Sequence, residues 1–294
     1  MKIKTQEISL PLLVEKEICL FIKRLDLIHP IISGNKWYKL KYNLLEAKEK
    51  GYKTLLTFGG AYSNHITATA CAAKENGFKS IGIIRGEEQL SLNPALSFAR
   101  KNGMELHYVS RSDYRLKHTS NFINILKERF GDFYLLPEGG TNDLAIKGTA
   151  EILDKMDKQD YICCAVGTGG TIAGIINTSD NKQKIIGFLA IKGFDTFQKD
   201  IENWTNKQNW KLINDYCGGY AKVNEELIAF IHQFNLAQNI PLDTVYTGKM
   251  MMGILDLIGQ DYFVKGSSIL AIHTGGLQGN KGMNERYGLN LPTK

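Results

Sequence analysis

The sequence predicts an α/β fold in which mostly parallel strands are flanked by helices. From residue 54 onward two patterns alternate: short apolar, β-branched runs typical of strands and longer stretches typical of helices. Such alternation predicts parallel sheets joined by right-handed crossovers. The continuous apolar character of the strand-like runs also indicates sheets that are covered on both faces.

Seven runs are predicted as strands: 54–60, 80–86, 104–110, 133–140, 161–170, 184–193 and 268–276. Helices are predicted between them at 63–77, 93–103, 118–131, 141–156 and 224–239, and a further helix is expected to follow the Ser33-Gly34-Asn35 triplet. Several of these helical stretches open with Ser, Thr or Asn and end at Gly or Asn, which are the residues that cap helices. No internal repeat or low-complexity segment is evident.

Composition places the chain among globular proteins and argues against nucleic acid as a partner. Of its 294 residues 43% are hydrophobic and 22% are charged, which is ordinary for a folded domain. The net charge of +6 comes from basic residues that are dispersed among acidic ones. They form no stripe interleaved with aromatic residues, so the charge alone identifies no partner.

Membrane insertion and metal binding are not expected. The first 20 residues mix charges into their apolar positions, and no apolar run of spanning length follows. The five cysteines form no C-x-x-C motif and are interpreted as buried free thiols of a reducing compartment: Cys19, Cys71, Cys163, Cys164 and Cys217. The sequence therefore predicts a cytoplasmic protein without a metal site.

Glycine-rich turns recur where predicted strands end, in FGGAYSN, PEGGTN, GTGGT and HTGG. In open α/β sheets ligands bind in the crevice outside the carboxyl ends of the strands, where glycine lets backbone N–H groups approach. Four such turns predict one shared ligand site between two lobes. The chain contains neither the G-x-G-x-x-G nor the P-loop pattern, so a dinucleotide or P-loop site is not favoured.

The segment VGTGGTIAG (166–174) follows a predicted strand and opens a predicted helix. Thr168, Gly169, Gly170 and Thr171 offer consecutive backbone donors and two hydroxyls at a helix N-terminus, which suits one phosphate group. The alternative is a tight strand–helix turn that uses glycine only for close packing.

A second helix start lies at GGAYSNHITA (59–68), with Ser63 and Asn64 at its beginning. As site residues, the N–H groups from Ser63 to His65 would hold a carboxylate, and the Ser63 hydroxyl would move protons. As helix caps, Ser63 and Asn64 need no ligand at all. His65 is a possible base, although a single histidine in a first helical turn is more often structural.

Two predicted loops each hold a tyrosine beside glycine, Tyr220 in DYCGGYAKVNEE and Tyr246 in DTVYTGK. Either ring would stack on a planar ligand or relay protons, or else pack at a domain boundary. Thr274 follows the last predicted strand in HTGG, where its hydroxyl would meet a ligand atom or simply form a turn.

Lys36 follows the Ser-Gly-Asn triplet, and Lys39 lies one helical turn further on. With a phosphate cradle elsewhere and no dinucleotide motif, a lysine carried by this turn suggests an amine that bonds covalently to a phosphorylated aldehyde. Burial beside another cation, here Lys39, would lower the pKa of such an amine. The alternative is a solvated basic helix start.

These motifs together resemble the fold-type II, tryptophan synthase β-like pyridoxal-phosphate enzymes. Within them the chain resembles the family of D-cysteine desulfhydrase and 1-aminocyclopropane-1-carboxylate deaminase. The matching blocks follow the family's order over nearly the whole chain: SGNKWYKL, FGGAYSNH, PEGGTN, GTGGTIAG, DYxGGY, VYTGK and HTGG.

The resemblance implies roles for individual residues. It makes Lys36 the lysine that binds pyridoxal phosphate, and it makes Ser63 the serine beside the substrate carboxylate. Asn64 matches the asparagine that contacts the ring oxygen of the cofactor. The remaining implied residues form the phosphate loop and the pair of active-site tyrosines: Thr168, Gly169, Gly170, Thr171, Tyr220 and Tyr246.

The resemblance also implies a two-lobed homodimer, each lobe an open, mostly parallel sheet flanked by helices. The expected division is a large cofactor-binding domain formed by 1–45 and 148–294 and a small domain formed by 46–147.

Two positions separate the branches of the family. Deaminases of the cyclopropane substrate resemble YEGK and HLGG where this chain has Thr247 and Thr274. A glutamate near the pyridine nitrogen would keep it protonated, whereas a threonine hydroxyl holds it more neutrally, which suffices when thiolate leaves the β-carbon. The two threonines therefore favour β-elimination, with D-cysteine as the substrate that the resemblance implies.

Three alternatives stay open: deamination of the cyclopropane acid, β-elimination or replacement on D-serine, chloroalanine or a related amino acid, and a non-catalytic anion-binding protein.

Overall fold

The protein, represented by a computed structural model, is described over residues 3–88, 91–191, 193–216 and 223–293. Two open sheets carry its helices. The larger sheet has the order β1-β2-β10-β7-β8-β9 and is parallel except for the pairing of β1 with β2. Its strands are β1 (Thr5–Ile8), β2 (Cys19–Lys23), β7 (Tyr161–Val166), β8 (Lys184–Leu189), β9 (Trp210–Ile213) and β10 (Ser268–Ile272).

The smaller sheet is wholly parallel and has the order β5-β4-β3-β6. Its strands are β3 (Thr54–Gly59), β4 (Lys79–Arg85), β5 (Met104–Val109) and β6 (Tyr134–Leu136). The α/β class and the mostly parallel sheets predicted from the sequence are confirmed.

Helices connect the strands and cover both sheets. They are α1 (Pro11–Glu15), α2 (Asn35–Glu49), α3 (Asn64–Glu75), α4 (Pro94–Lys101), α5 (Arg111–Tyr114), α6 (Ser120–Phe130), α7 (Asp143–Thr149), α8 (Gly170–Thr178), α9 (Phe194–Glu202), α10 (Glu225–Gln238), α11 (Thr247–Gly259) and α12 (Gln278–Tyr287). The predicted capping chemistry holds, because side-chain oxygens accept from first-turn amides at Ser63, Asn93, Thr119, Asn142 and Asn224.

The core of the larger unit lies on both faces of its central strands. Every residue of β7 is buried, and so are the last four residues of β10. Apolar side chains from α8 pack on one face and those from α10 and α11 pack on the other. The carboxyl ends of β7 and β10 are therefore held rigidly where the ligand site is expected.

Strands β1, β2 and β9 were not predicted from the sequence. Thr5–Ile8 and Trp210–Ile213 have four residues each, contain polar side chains and lie at the sheet edges, so they lack the apolar runs that mark buried strands. The helix predicted over 141–156 ends at Thr149 instead.

The predicted domain division remains a prediction. All four strands of the smaller sheet lie within 46–147, but both boundaries fall inside helices, one in α2 and the other in α7. These two helices contact each other extensively, so they join the two units rather than forming loose linkers.

The buried-thiol prediction holds for Cys71, Cys163 and Cys164 but is wrong for Cys19, which is exposed at the start of β2. Cys217 lies outside the described residues. Within the described ranges, no helix has both the length and the apolar character needed to cross a membrane.

Candidate active site

Lys36 lies in the first turn of α2, and the turn that carries it is locked against the end of β10. Gly34 adopts a left-handed φ of 66°, and the Asn35 N–H donates to the carbonyl of Thr274 at 3.2 Å. Glycine is needed because a Cβ at residue 34 would lie 1.9 Å from that same carbonyl oxygen. The lysine is thus presented by backbone packing.

The pKa of the Lys36 amine lies close to physiological pH. Burial lowers its pKa from the ordinary 10.5 to about 8, because a charged ammonium is poorly solvated inside a protein. Its Nζ lies 3.4 Å from the Asn35 side-chain oxygen. A substantial fraction of the amine is therefore unprotonated and nucleophilic.

Lys39 has a different role from the one expected of it. Burial, rather than its charge, is what lowers the pKa of Lys36. The pKa of Lys39 itself is lowered, first by burial and then by Lys36. Its Nζ donates to the Gly139 carbonyl at 3.0 Å, to Thr141 Oγ1 at 2.8 Å and to Thr168 Oγ1 at 3.2 Å. Lys39 thereby ties the PEGGTN turn to the GTGGT turn.

The GTGGT turn gives α8 an uncapped N-terminus. Gly169 is left-handed, with φ 80°, and no described side chain caps the helix. A Cβ on Gly170 would lie 2.6 Å from Thr141 Cγ2, so the turn admits no side chain there. The Thr171 hydroxyl accepts from Asn35 Nδ2 at 2.8 Å, which joins the starts of α2 and α8. A buried helix start without caps is typical of an anion site.

Ser63 and Asn64 stand at the start of α3, in the wall of the same cavity. Ser63 Oγ accepts from the Ile66 N–H at 3.4 Å, so it does act as a cap. This bond is long, and the first amides of the helix have no intrahelical partner. Capping and ligand binding are therefore compatible at this turn.

His65 has the surroundings of a structural residue. Its ring is buried and its Nε2 lies 2.9 Å from Thr57 Oγ1. Because the Thr57 hydroxyl donates to the carbonyl of Leu136, the ring nitrogen is the donor to Thr57. Burial and the nearby Lys36 lower the pKa of His65 well below its usual value, which keeps the ring neutral.

Tyr246 also lines the cavity and lies close to the GTGGT turn, since a Cβ on Gly167 would be 3.2 Å from Tyr246 Cε1. Thr274 lines the cavity from the end of β10. Tyr220 lies outside the described residues.

Thr247 does not meet the expectation that its hydroxyl serves the ligand. It is fully buried, its hydroxyl donates to Asp243 Oδ1 at 2.7 Å, and the same hydroxyl accepts from the Asp243 N–H at 2.9 Å. Asp243 accepts further bonds from the backbone N–H groups of Val245, Tyr246 and Thr247. The two side chains together hold the start of α11.

The cavity, of about 180 Å³, therefore brings together most of the predicted site. Its wall includes Lys36, Ser63, Asn64, His65, Thr168, Gly169, Thr171, Tyr246 and Thr274. Gly170 adjoins this wall without lining it.

Comparison with known proteins decides the family. The family described as pyridoxal-phosphate dependent enzyme matches residues 3–275. The chain belongs to this family. Its cofactor is pyridoxal 5′-phosphate, and its fold is of the tryptophan synthase β-like type.

Relatives within the pyridoxal-phosphate enzymes carry two kinds of name. The chain is 32% identical to the bifunctional D-cysteine desulfhydrase/1-aminocyclopropane-1-carboxylate deaminase of Arabidopsis thaliana, over 88% of this chain and 73% of that protein. It is 28% identical to a D-cysteine desulfhydrase of Klebsiella pneumoniae, over 87% and 86%. A solved structure of an ACC deaminase homologue superposes with a TM-score of 0.86 at 27% identity, covering 98% of this chain and 94% of that chain.

The residues present fit pyridoxal phosphate. The uncapped, glycine-lined start of α8 suits its phosphate group, and the amine of Lys36 suits its aldehyde. Lys39 lies behind the same turn. Thr274 adds a neutral polar residue to the wall of the same cavity.

Three functional residues were missed from the sequence: Asn35, Thr141 and Asp243. Asn35 and Thr141 lie within the quoted motifs SGNK and PEGGTN, but their partners come from distant segments. Asp243 precedes VYTGK by two positions, a spacing at which an aspartate side chain accepts from the backbone N–H two residues further on.

Proposed function

We propose that this chain is a deaminating lyase that acts on a small amino acid, and that its preferred reaction is β-elimination of D-cysteine. D-cysteine and water would give pyruvate, hydrogen sulfide and ammonia. The observation that carries the proposal is the meeting, in one cavity, of the Lys36 amine with its lowered pKa and the uncapped start of α8.

Bound pyridoxal phosphate supplies an aldehyde that takes up amines and a ring that stabilises negative charge at the substrate α-carbon. The amides of Asn64 and His65 hold the substrate carboxylate at the positive end of α3. The Ser63 amide does not take part, because it donates to the carbonyl of Gly60. Lys36 Nζ would hold the aldehyde of the cofactor in the resting protein and, once free, would accept the α-proton of the substrate; its lowered pKa suits it to do so near neutral pH. Ser63 Oγ and the phenols of Tyr246 and Tyr220 are the proposed proton carriers toward the leaving group.

The preference for D-cysteine is supported by Thr274, a polar residue in the cavity wall that stands where the cyclopropane deaminases have the leucine of HLGG. Thr247 gives no such support, because its hydroxyl is bonded to Asp243. The two relatives reported above bear the name D-cysteine desulfhydrase, alone or together with the cyclopropane deaminase name.

Deamination of 1-aminocyclopropane-1-carboxylate is the second candidate. It is supported by the bifunctional name of the Arabidopsis relative and by the homologue that superposes on this chain. With Thr247 outside the cavity wall, one of the two arguments against this activity is weakened.

A substrate panel tests the proposal. Purified protein loaded with pyridoxal phosphate is assayed for sulfide and keto acid with D-cysteine, L-cysteine, D-serine and the cyclopropane acid. We expect sulfide and pyruvate from D-cysteine. Sulfide from L-cysteine only, or 2-oxobutyrate from the cyclopropane acid without sulfide from D-cysteine, would contradict the preference.

Loading itself is tested by the visible absorbance that the protein gains with the cofactor. We expect Lys36→Ala to lack the absorbance band that arises when the cofactor is bonded covalently to Lys36. An unchanged spectrum in this variant would refute the role of Lys36.

We also propose that the protein is a cytoplasmic homodimer. Sedimentation measurements would test its oligomeric state.

A further inference from the structure

Tyr62 stands at the mouth of the active-site cavity. It precedes Ser63, lines the cavity, and is 38% exposed. One end of its ring therefore faces solvent while the remainder borders the space that the substrate must enter. Arg286 and Tyr287, at the end of α12, line the same cavity.

The ring of Tyr62 rests directly on the backbone of α12 at Gly282. A Cβ at residue 282 would lie 2.9 Å from Tyr62 Cδ1 and 3.0 Å from Cε1. Gly279, one helical turn earlier on the same face, lies toward Asn64, whose Oδ1 would be 4.0 Å from a Cβ there. Because the two glycines lack side chains, the backbone of α12 lies directly against the turn that carries Ser63.

The helix that supports Tyr62 is fixed at its start. Gln278 Nε2 donates to the carbonyl of Ile31 at 2.7 Å, just before the turn that carries Lys36. Asn280 is fully buried and its amide donates to the carbonyl of Leu242 at 2.9 Å. Consequently α12 cannot easily move away from Tyr62.

The backbone that carries Tyr62 is fixed as well. The Ser63 N–H donates to the carbonyl of Gly60 at 3.0 Å, which closes a turn around Tyr62. Asn93 Nδ2 donates to the carbonyl of Ala61 at 2.9 Å. The position of the ring is therefore set by a rigid turn on one side and by a rigid helix on the other.

We propose that Tyr62 is a specificity-determining residue that limits the length of the substrate side chain, and that Gly282 allows its ring to stand back far enough to admit small amino acids. This inference rests on the proposed function only in taking the ligand to be an amino acid. A bulkier residue at 282 would press the ring into the opening, and a smaller residue at 62 would widen it.

Binding of unreactive amino acids tests this role. Alanine, 2-aminobutyrate and norvaline, each as the D and the L enantiomer, are titrated calorimetrically into the cofactor-loaded protein. We expect the wild type to bind alanine more tightly than norvaline. In Tyr62→Ala the ratio of the two affinities should fall at least about tenfold, the size of effect that one methylene has in a restrictive pocket.

Tyr62→Phe keeps the ring and should keep the affinity ratio within about twofold of wild type, which is far below the effect of a methylene in a restrictive pocket. Gly282→Ala should raise the ratio. If Tyr62→Ala leaves the ratio unchanged, or if Tyr62→Phe lowers it as much as Tyr62→Ala, the proposal is wrong. Should Gly282→Ala fail to fold, the two substitutions at residue 62 still decide the question.

The binding series is independent of the reaction. A protein that produces no sulfide but shows the expected size dependence would refute the proposed elimination and support the role of Tyr62. A protein that eliminates sulfide from D-cysteine with an unchanged affinity ratio in Tyr62→Ala would do the opposite.

Discussion

The α-carbon of Gly34 packs against the carbonyl of Thr274 so closely that a Cβ at residue 34 would lie 1.9 Å from the oxygen. This contact joins the turn that presents Lys36 to the turn that follows the last strand of the larger sheet. Both partners are backbone atoms, so neither can swing aside. The position of the Lys36 amine therefore depends on the absence of one methyl group.

Gly34→Ala is expected to lower the free energy of unfolding by at least about 3 kcal/mol, because the substitution adds a backbone clash to a strained φ. Gly51→Ala, at the other end of α2, is the matched control. Gly51 also has positive φ, 77°, but a Cβ there meets nothing within 4 Å, so only about 1 kcal/mol should be lost. Urea unfolding measures both, and equal losses would contradict the packing argument.

The pKa of Lys36 predicts a pH-dependent stability in the cofactor-free protein. The folded-state pKa is about 8 and the ordinary value is 10.5. Below pH 8 the folded state must bury the charge, so Lys36→Met should be more stable than wild type by up to about 3 kcal/mol. Between pH 8 and 10.5 the buried amine of the wild type loses its proton and no longer destabilises the fold. The difference in stability between Lys36→Met and the wild type should therefore shrink over this range. Unfolding at pH 7, 8.5 and 9.5 tests this, and a constant difference would show that Lys36 keeps an ordinary pKa.

Lys39→Met is expected to weaken pyridoxal-phosphate binding by about tenfold or more, because it removes the donor shared by the Gly139 carbonyl, Thr141 and Thr168. Leaving one buried acceptor unsatisfied costs about 1 to 3 kcal/mol. Lys41→Met is the control, since Lys41 lies on the same helix but is exposed and bonded to Glu151. Equilibrium dialysis compares the two, and equal affinities would argue against a role for Lys39.

Replacing Thr247 and Thr274 by the residues found in cyclopropane deaminases should have different effects. Thr247→Glu would force a second carboxylate against Asp243 in a fully buried place and should cost about 3 kcal/mol of stability or more. Thr274→Leu changes the cavity wall and should alter the ratio of activities on D-cysteine and the cyclopropane acid. Thermal unfolding and product assays measure these effects. A stable Thr247→Glu variant with converted specificity would refute this separation.

Much of the fold could be predicted from the sequence because its buried strands carry their own signal. The stretch 161–166 is continuously apolar and became β7, which is buried along its whole length. The edge strands Thr5–Ile8 and Trp210–Ile213 have partners on one side only and need few apolar residues, so their pattern was too weak to recognise.

At the site, glycine motifs were informative because close backbone approach excludes side chains, as at Gly34 and Gly170. Hydrogen-bond partners were not predictable. The acceptors of Lys39 lie in a turn around residue 140 and at Thr168. The Thr247 hydroxyl is bonded to both the backbone N–H and the carboxylate of Asp243, which depends on the local backbone there. A single sequence contains the residues of such contacts but not their distances.

The hydrogen bond from the Gln278 side chain to the carbonyl of Ile31 joins residues that are 247 positions apart in the chain. During synthesis, the segment that presents Lys36 leaves the ribosome long before the segment that holds it in place. Loop-closure entropy opposes so distant a contact until the intervening strands have folded. The nascent protein therefore remains without a competent cofactor site until the segment around Gln278 has been synthesised and has folded, so cofactor loading must follow the assembly of the strands between these two residues.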